Sequence, residues 1–374
     1  MFRQQQQRIT PDQALQDAYR RHQAGDLHGA KGIYEQLLSA IPHHPAALTM
    51  LASIAYLEGN DIQAEAYRDT ALRNYREAVK QAPQERALRA ALVNILLAAD
   101  RPDEARDYLA ALDLPLNPLR HDRNTFYQRR LAAREEGLPP ILLNTIPKSA
   151  SESIWNRLAE GLNLGQCHVS IGLFPHCTAV PFRMKMFSEG GIIAKEHLAP
   201  DEHNVAQLAG IGVERMLVHL RDPRQITLSW AHFVRDDISH TLLGPLWRQS
   251  CPPAKVLNGD LSEILDWCIE TYLPRVVAFM TGWQRIAADP ATPLAVEFQT
   301  FERFRTDPDG YFRTALKFYG LDGERYGPDE NAADVHLRQG SLDEWREVFN
   351  SQQKRRAEAL IGPELLDAFG WPRR

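Results

Sequence analysis

Residues 141–153 read ILLNTIPKSASES, and the fold turns on how that stretch is read. It opens apolar over 141–145 and enters a short turn, Pro147-Lys148-Ser149-Ala150-Ser151. The pattern then predicts a helix over 152–162. A buried strand, a tight loop and a helix, in that order, is how α/β proteins hold a phosphate. Backbone N–H groups and the positive helix end face the anion, and a lysine adds full charge. The nucleotide loop G-x-x-x-x-G-K-[ST] is absent, because no glycine stands between Leu138 and Gly161. By itself Lys148 has two readings, a solvated surface charge or a phosphate ligand.

From Pro139 onward, short apolar runs alternate with helical stretches: 141–145, 192–194, 216–220 and 294–298. Strands alternating with helices imply an α/β fold, a parallel sheet with helices on both faces. Ligands of such sheets sit outside the carboxyl ends of the strands. Lys148, His197, Arg221 and Glu297 are expected at or just past those ends. The stretches 164–191 and 236–259 look like irregular loops beside a site. Phe174, Phe182, Phe187, His240 and Trp247 are candidates there to line an acceptor.

A second stretch, 216–233, reads MLVHLRDPRQITLSWAHF. Here the chain resembles the sulfotransferase family, whose donor is 3′-phosphoadenosine 5′-phosphosulfate (PAPS). That family holds the 5′-phosphosulfate in a P-K-S-G-T-T-W loop and the 3′-phosphate in an R-[ND]-P-x-x-x-x-x-S-x-x-x-F segment. Pro147, Lys148, Ser149 and Ser151 match the first pattern; Arg221, Asp222, Pro223, Ser229 and Phe233 match the second. Residues 192–200, IIAKEHLAP, resemble the family's K-x-H-L-P strand end, which carries the catalytic histidine. Residues 338–349, RQGSLDEWREVF, are similar to its lid over the nucleotide. Four motifs in family order are more specific than any one of them.

The resemblance implies a P-loop-like sulfotransferase fold and transfer of a sulfuryl group from PAPS to an acceptor hydroxyl or amine, with no metal. His197 would be the general base, its unperturbed pKa near 6.5 suiting proton removal at neutral pH. Glu196 is the rival base, facing away on a regular strand. Lys148 would stabilise the leaving phosphate, and Lys195, two residues from His197, the transferred oxygens. The backbone of Ser149, Ala150, Ser151, Glu152 and Ser153 would cradle the 5′ group. Arg221 and Ser229 would bind the 3′-phosphate, and Arg338, Gln339 and Gly340 would close over it.

Departures from the pattern carry their own expectations. Ala150 replaces a glycine, so the backbone there should avoid positive φ. Glu152 replaces a threonine near a dianion and should point outward. Ser153 replaces the tryptophan that stacks on adenine, leaving Trp155 or another aromatic to substitute. Ala199 precedes Pro200, and Gln339 and Asp343 alter the lid. These departures leave room for a catalytically weak or dead domain serving an interaction scaffold. A phosphotransferase on the same scaffold is the other alternative, without the glycine-lysine loop that it would use.

Residues 12–117 carry helical periodicity and an internal repeat. Ala24-Gly25-Asp26 aligns with Glu58-Gly59-Asn60, an offset of 34 residues, at which Ala30 meets Ala64, Ile33 meets Tyr67 and Leu38 meets Leu72. The pattern resembles tetratricopeptide (TPR) repeats, with a third unit over 87–112. Such a stack would bind a partner or the acceptor, or would dock on the rest of the chain or a second copy. The expected division is 1–117 helical repeats, 118–138 a helical linker whose arginines form a solvated face, and 139–374 the transferase domain.

The formal charge of −5 argues against general polyanion binding, so no nucleic-acid partner is expected and any positive site must be local. The polar start MFRQQQQRITPDQ has no signal-peptide core, and no run reaches the ~18 apolar residues of a span. The expectation is a cytoplasmic protein without a membrane span. The acceptor class stays open among glycans, peptides and small hydroxyl compounds. Cys167, Cys177, Cys251 and Cys268 include no C-x-x-C and read as reduced, mostly buried thiols.

Overall fold

A computed structural model describes residues 10–109, 111–119, 122–325 and 341–373. The chain divides into two compact units, Met1–Arg101 with His232–Ile264, and Pro102–Ala231 with Leu265–Arg374. The division therefore falls before 102, where the sequence suggested 117, and takes 232–264 out of the expected transferase segment. Among the described residues no helix is long and apolar enough to cross a membrane.

The first unit is built on helices α1 (Pro11–Gln23), α2 (Leu27–Ala40), α3 (Pro45–Leu57), α4 (Asp61–Gln81) and α5 (Arg86–Ala98). Each packs on the next in sequence. The repeat in the sequence recurs in the backbone. Gly25 and Gly59 both adopt the left-handed conformation that ends a helix (φ 81° and 79°), and Asp26 and Asn60 both cap the helix that follows. Ala30 and Ala64, at the crossings, are fully buried.

Helix α3, PAALTMLASIAYL, is apolar around its whole circumference, and ten of its thirteen residues are buried. Two neighbouring helices cannot cover a helix on every side, so a further element is required. Residues 238–257 supply it, correcting their reading as an acceptor loop. Leu242 and Leu243 pack against the core of α1, α2 and α3. Trp247 is buried, Arg248 lies 4.7 Å over the Tyr56 ring, and Gln249 Nε2 donates to the Ala98 carbonyl at 3.3 Å.

The second unit contains a six-stranded sheet in the order β1-β3-β6-β2-β7-β8. Its strands are β1 (Asn117–Pro118), β2 (Ile141–Thr145), β3 (Gly165–His168), β6 (Ile192–Glu196), β7 (Arg215–Leu220) and β8 (Ala295–Thr300). A separate hairpin pairs β4 (Ser170–Ile171) with β5 (Thr178–Ala179). Five strands are parallel, and β1 runs antiparallel on the edge beside β3. Residues 117 and 118, where the sequence put the division between repeats and linker, thus form an edge strand, the place in a sheet where proline is tolerated.

Strands β2 and β6 are buried at all five positions, as a sheet covered on both faces requires. On one face Ile141, Leu143, Ile193 and Leu217 pack against helix α8 (Ser151–Gly161) and the helix Pro308–Phe318. Helix α6 (Pro102–Leu109) is tied within this unit by Arg106 to Asp201 at 3.0 Å. In helix α7 (Arg123–Glu135) Arg123 and Arg134 are exposed, as a solvated face would have them, but Arg129 and Arg130 are not. Arg129 grips Glu160 through both nitrogens at 3.1 and 3.0 Å, and Arg130 donates to the Met186 carbonyl at 2.7 Å and Glu189 at 2.8 Å.

Candidate functional site

Strands β6, β2 and β7 are neighbours, so the three motifs that end them come out at one edge of the sheet. The register sets Asn144 beside Glu196 and Thr145 beside His219. The loop after β2, His197 after β6 and Arg221 after β7 therefore leave the sheet at nearly one level. Glu297 does not join them; it sits within β8 and accepts from Gln299 Nε2 at 2.8 Å.

The loop after β2 is held from inside and from β7. Ser149 is fully buried and its hydroxyl donates to the Ile146 carbonyl at 2.7 Å. Arg221 donates to the Lys148 carbonyl at 3.0 Å, and His219 Nε2 donates to the Ser149 carbonyl at 2.7 Å. Lys148 and Ala150 have φ of 70° and 67°. The expectation that Ala150 avoids positive φ is overturned: the side-chain bonds to the loop outweigh the ~1–2 kcal/mol of left-handed strain at an L-residue. Ser151, Glu152 and Ser153 begin α8, and the Ser153 amide donates to the Ala150 carbonyl at 3.1 Å.

His197 Nδ1 lies 2.8 Å from the Thr145 carbonyl and 3.1 Å from Thr145 Oγ1. A carbonyl only accepts, so Nδ1 carries the hydrogen and Nε2 the lone pair. Burial, then the nearby Lys195 charge, push its pKa down to about 4. The following turn is pinned by Asn144, whose side chain accepts from Leu198 N at 2.7 Å and donates to Leu198 O at 3.3 Å. Trp283 Nε1 donates to the same carbonyl at 3.0 Å.

Glu196 points the other way, as strand alternation requires. Its carboxylate accepts from Val169 N and the Ser170 hydroxyl and lies 3.5 Å from His168 Nδ1. Burial pushes its pKa up, but the His168 interaction and the Ser170 and Val169 bonds outweigh it and leave the pKa below the usual value. Lys195 forms an ion pair with Glu152 and lies 5.1 Å over the Trp155 ring. Glu152 thus answers a cation on β6. Trp155 is part of the core, bonded through Nε1 to the Ile193 carbonyl at 3.2 Å and tilted against His168. It is not placed to stack on an adenine.

Arg221 is 6% exposed and lies 4.2 Å over the Phe301 ring. Its second terminal nitrogen donates to the Ser341 carbonyl at 2.7 Å, tying the loop after β2 to the residue that follows Gly340. Ser229 is half-buried, two turns into the helix Pro223–Asp236. Arg338, Gln339 and Gly340 lie outside the described residues. The rest of that motif is docked: Trp345 is buried, donates from its amide to Gln225 Oε1 at 3.1 Å, and is covered by the Arg224 guanidinium at 3.9 Å. Arg224 in turn forms a two-pronged pair with Asp222, at 2.9 and 2.7 Å. Of the expected acceptor residues, Phe174 packs on Tyr272 and Phe279, Phe187 is fully buried, and Phe182 is exposed.

His219, Tyr311 and Asn144 are site residues that sequence reasoning missed. His219 stands two residues before Arg221 inside an apolar strand, LVHLR, and a polar residue there was the one available signal.

No family model matches the sequence, and no curated protein matches it. Among solved structures the chain is similar to mouse sulfotransferase SULT7A1 complexed with PAP. The identity is 13% and the TM-score 0.42, over 67% of this chain and 94% of that one. At that level the likeness bears on neither ligand nor reaction.

Proposed function

We propose that this protein is a sulfotransferase that moves the sulfuryl group of PAPS to an acceptor hydroxyl or amine. The observation that carries the reading is the meeting of three motifs at one sheet edge. The Lys148 loop, His197 and Arg221 end adjacent strands, and Arg221 bonds directly to the loop that bears Lys148. A doubly phosphorylated adenosine would lie across that edge, its 5′ end on the loop and its 3′-phosphate by Arg221 and Ser229, under the segment holding Arg338, Gln339 and Gly340.

In the transfer the acceptor oxygen or nitrogen attacks sulfur. The bond from sulfur to the 5′-phosphate oxygen breaks, and the acceptor's proton passes to His197 Nε2, whose lone pair the Thr145 bond leaves in place. The electron pair of the broken bond stays on the phosphate, where Lys148 and the loop amides stabilise it. The products are a sulfated acceptor and adenosine 3′,5′-bisphosphate. A bound polyanion beside His197 would raise its basicity above the pKa of about 4 that burial and Lys195 set.

The Lys195–Glu152 pair favours a second reading, a weak or inactive transferase that serves the TPR-like helices as an interaction scaffold. It offsets the charge of Lys195, one of the cations expected to face a donor. Incubation with ³⁵S-labelled PAPS and a panel of glycan, peptide and phenol acceptors separates the two. Labelled product together with released bisphosphate supports the enzyme. Donor binding with no labelled product, alongside a tight partner in pull-downs, supports the scaffold.

A further inference from the structure

His219 is fully buried and uses both ring nitrogens. Nε2 faces the Ser149 carbonyl at 2.7 Å, an oxygen that only accepts, so Nε2 carries the hydrogen. Nδ1 is then the acceptor for the Tyr311 hydroxyl at 3.0 Å. Tyr311 is itself buried, on the helix Pro308–Phe318. A directional chain therefore runs from that helix through β7 to the loop after β2. In a trans peptide the carbonyl and the N–H point in opposite directions. Drawing the Ser149 carbonyl toward His219 turns the Ala150 amide away from β7. Arg221, drawing the Lys148 carbonyl the same way, does the same for the Ser149 amide. Two successive amides are thereby aimed together, the arrangement that binds an anion. The left-handed φ at Lys148 and Ala150 is the backbone's side of this arrangement.

We propose that His219 and Tyr311 are a positioning pair that aims the Ala150 amide, beside the Ser149 amide set by Arg221, at the 5′-phosphate of the donor. The inference rests on the nucleotide reading above. Calorimetric titration of the full chain with adenosine 3′,5′-bisphosphate and with adenosine 3′-monophosphate tests it. His219→Leu should weaken the bisphosphate about tenfold, the scale of a lost buried hydrogen bond, and change the 3′-monophosphate less than twofold. His219→Gln, with one donor for Ser149 and one acceptor for Tyr311, should restore most of the loss. Tyr311→Phe, the milder change, should weaken the bisphosphate about threefold with the same selectivity, and it decides the matter if His219→Leu does not fold. Equal loss for both ligands, or no loss for the bisphosphate, overturns the pair's role while the donor assignment stands. Wild-type protein that binds neither ligand overturns both.

Discussion

His197, just past β6, and His219, on β7, stand on either side of β2 and are held in opposite tautomers. The Thr145 carbonyl takes the hydrogen of His197 Nδ1, and the Ser149 carbonyl takes that of His219 Nε2. The first arrangement exposes a basic nitrogen to chemistry; the second uses up both. His197→Ala should lower turnover by ~10²–10⁴, the usual worth of a positioned base, with bisphosphate affinity within twofold; steady-state kinetics beside calorimetry measures both. The pKa values of His22, His197 and His219 are each pushed down to about 4, with burial the leading cause. Unfolded chains hold these imidazoles near 6.5, so between about pH 4 and 6.5 the unfolded state binds more protons. Stability should therefore rise with pH through that window and level off above it. His22→Leu should flatten the slope by about one proton's share in urea midpoints taken from pH 4 to 7. At Ala150, relief of left-handed strain opposes a more flexible unfolded chain. Ala150→Gly should therefore be neutral or stabilising by up to ~1 kcal/mol, as read from the denaturation midpoint.

Two segments at the scale of elements were read from local composition, and tertiary packing overrode that reading. Arg129 and Arg130 of α7 looked solvated because periodicity shows which face is charged and not what carboxylates stand opposite. Arg130→Ala removes bonds to Met186 O and Glu189 and should cost about 1–2 kcal/mol in thermal or urea unfolding. Strand β3, GQCH, was invisible because it has no apolar run and begins with glycine. Its Gly165 is required by contact, since a Cβ there would meet the Phe126 ring at 2.8 Å. The motif ends, by contrast, were legible: proline, lysine and serine after one apolar run, and Arg-Asp-Pro after another, mark turns by their own chemistry. Residues 238–257 looked like a loop from their glycines and prolines, yet the all-round apolar surface of α3 already called for a cover. Trp247→Ala should destabilise by about 3–5 kcal/mol, with the loss seen in chemical denaturation. A tryptophan lining an acceptor pocket would instead change KM for the acceptor and leave stability nearly unchanged.

At the scale of the molecule, the parallel sheet followed from apolar runs spaced by helices, whereas the strand order did not. Placing β2 between β6 and β7 is a long-range choice that no window of sequence displays, and it is what brings the loop, the histidine and the arginine together. The helical repeat was legible at its turns, through Gly25 and Gly59, and not at its limits, because residues 232–264 return to that unit from far along the chain. The central claim is that a single nucleotide spans two phosphate subsites on one edge. Titration of the wild-type chain with adenosine 5′-monophosphate, adenosine 3′-monophosphate and adenosine 3′,5′-bisphosphate, at fixed salt, tests it most directly. The bisphosphate should bind at least tenfold tighter than either monophosphate, each phosphate adding on the order of 1.4 kcal/mol or more. A bisphosphate no tighter than the better monophosphate would contradict the claim.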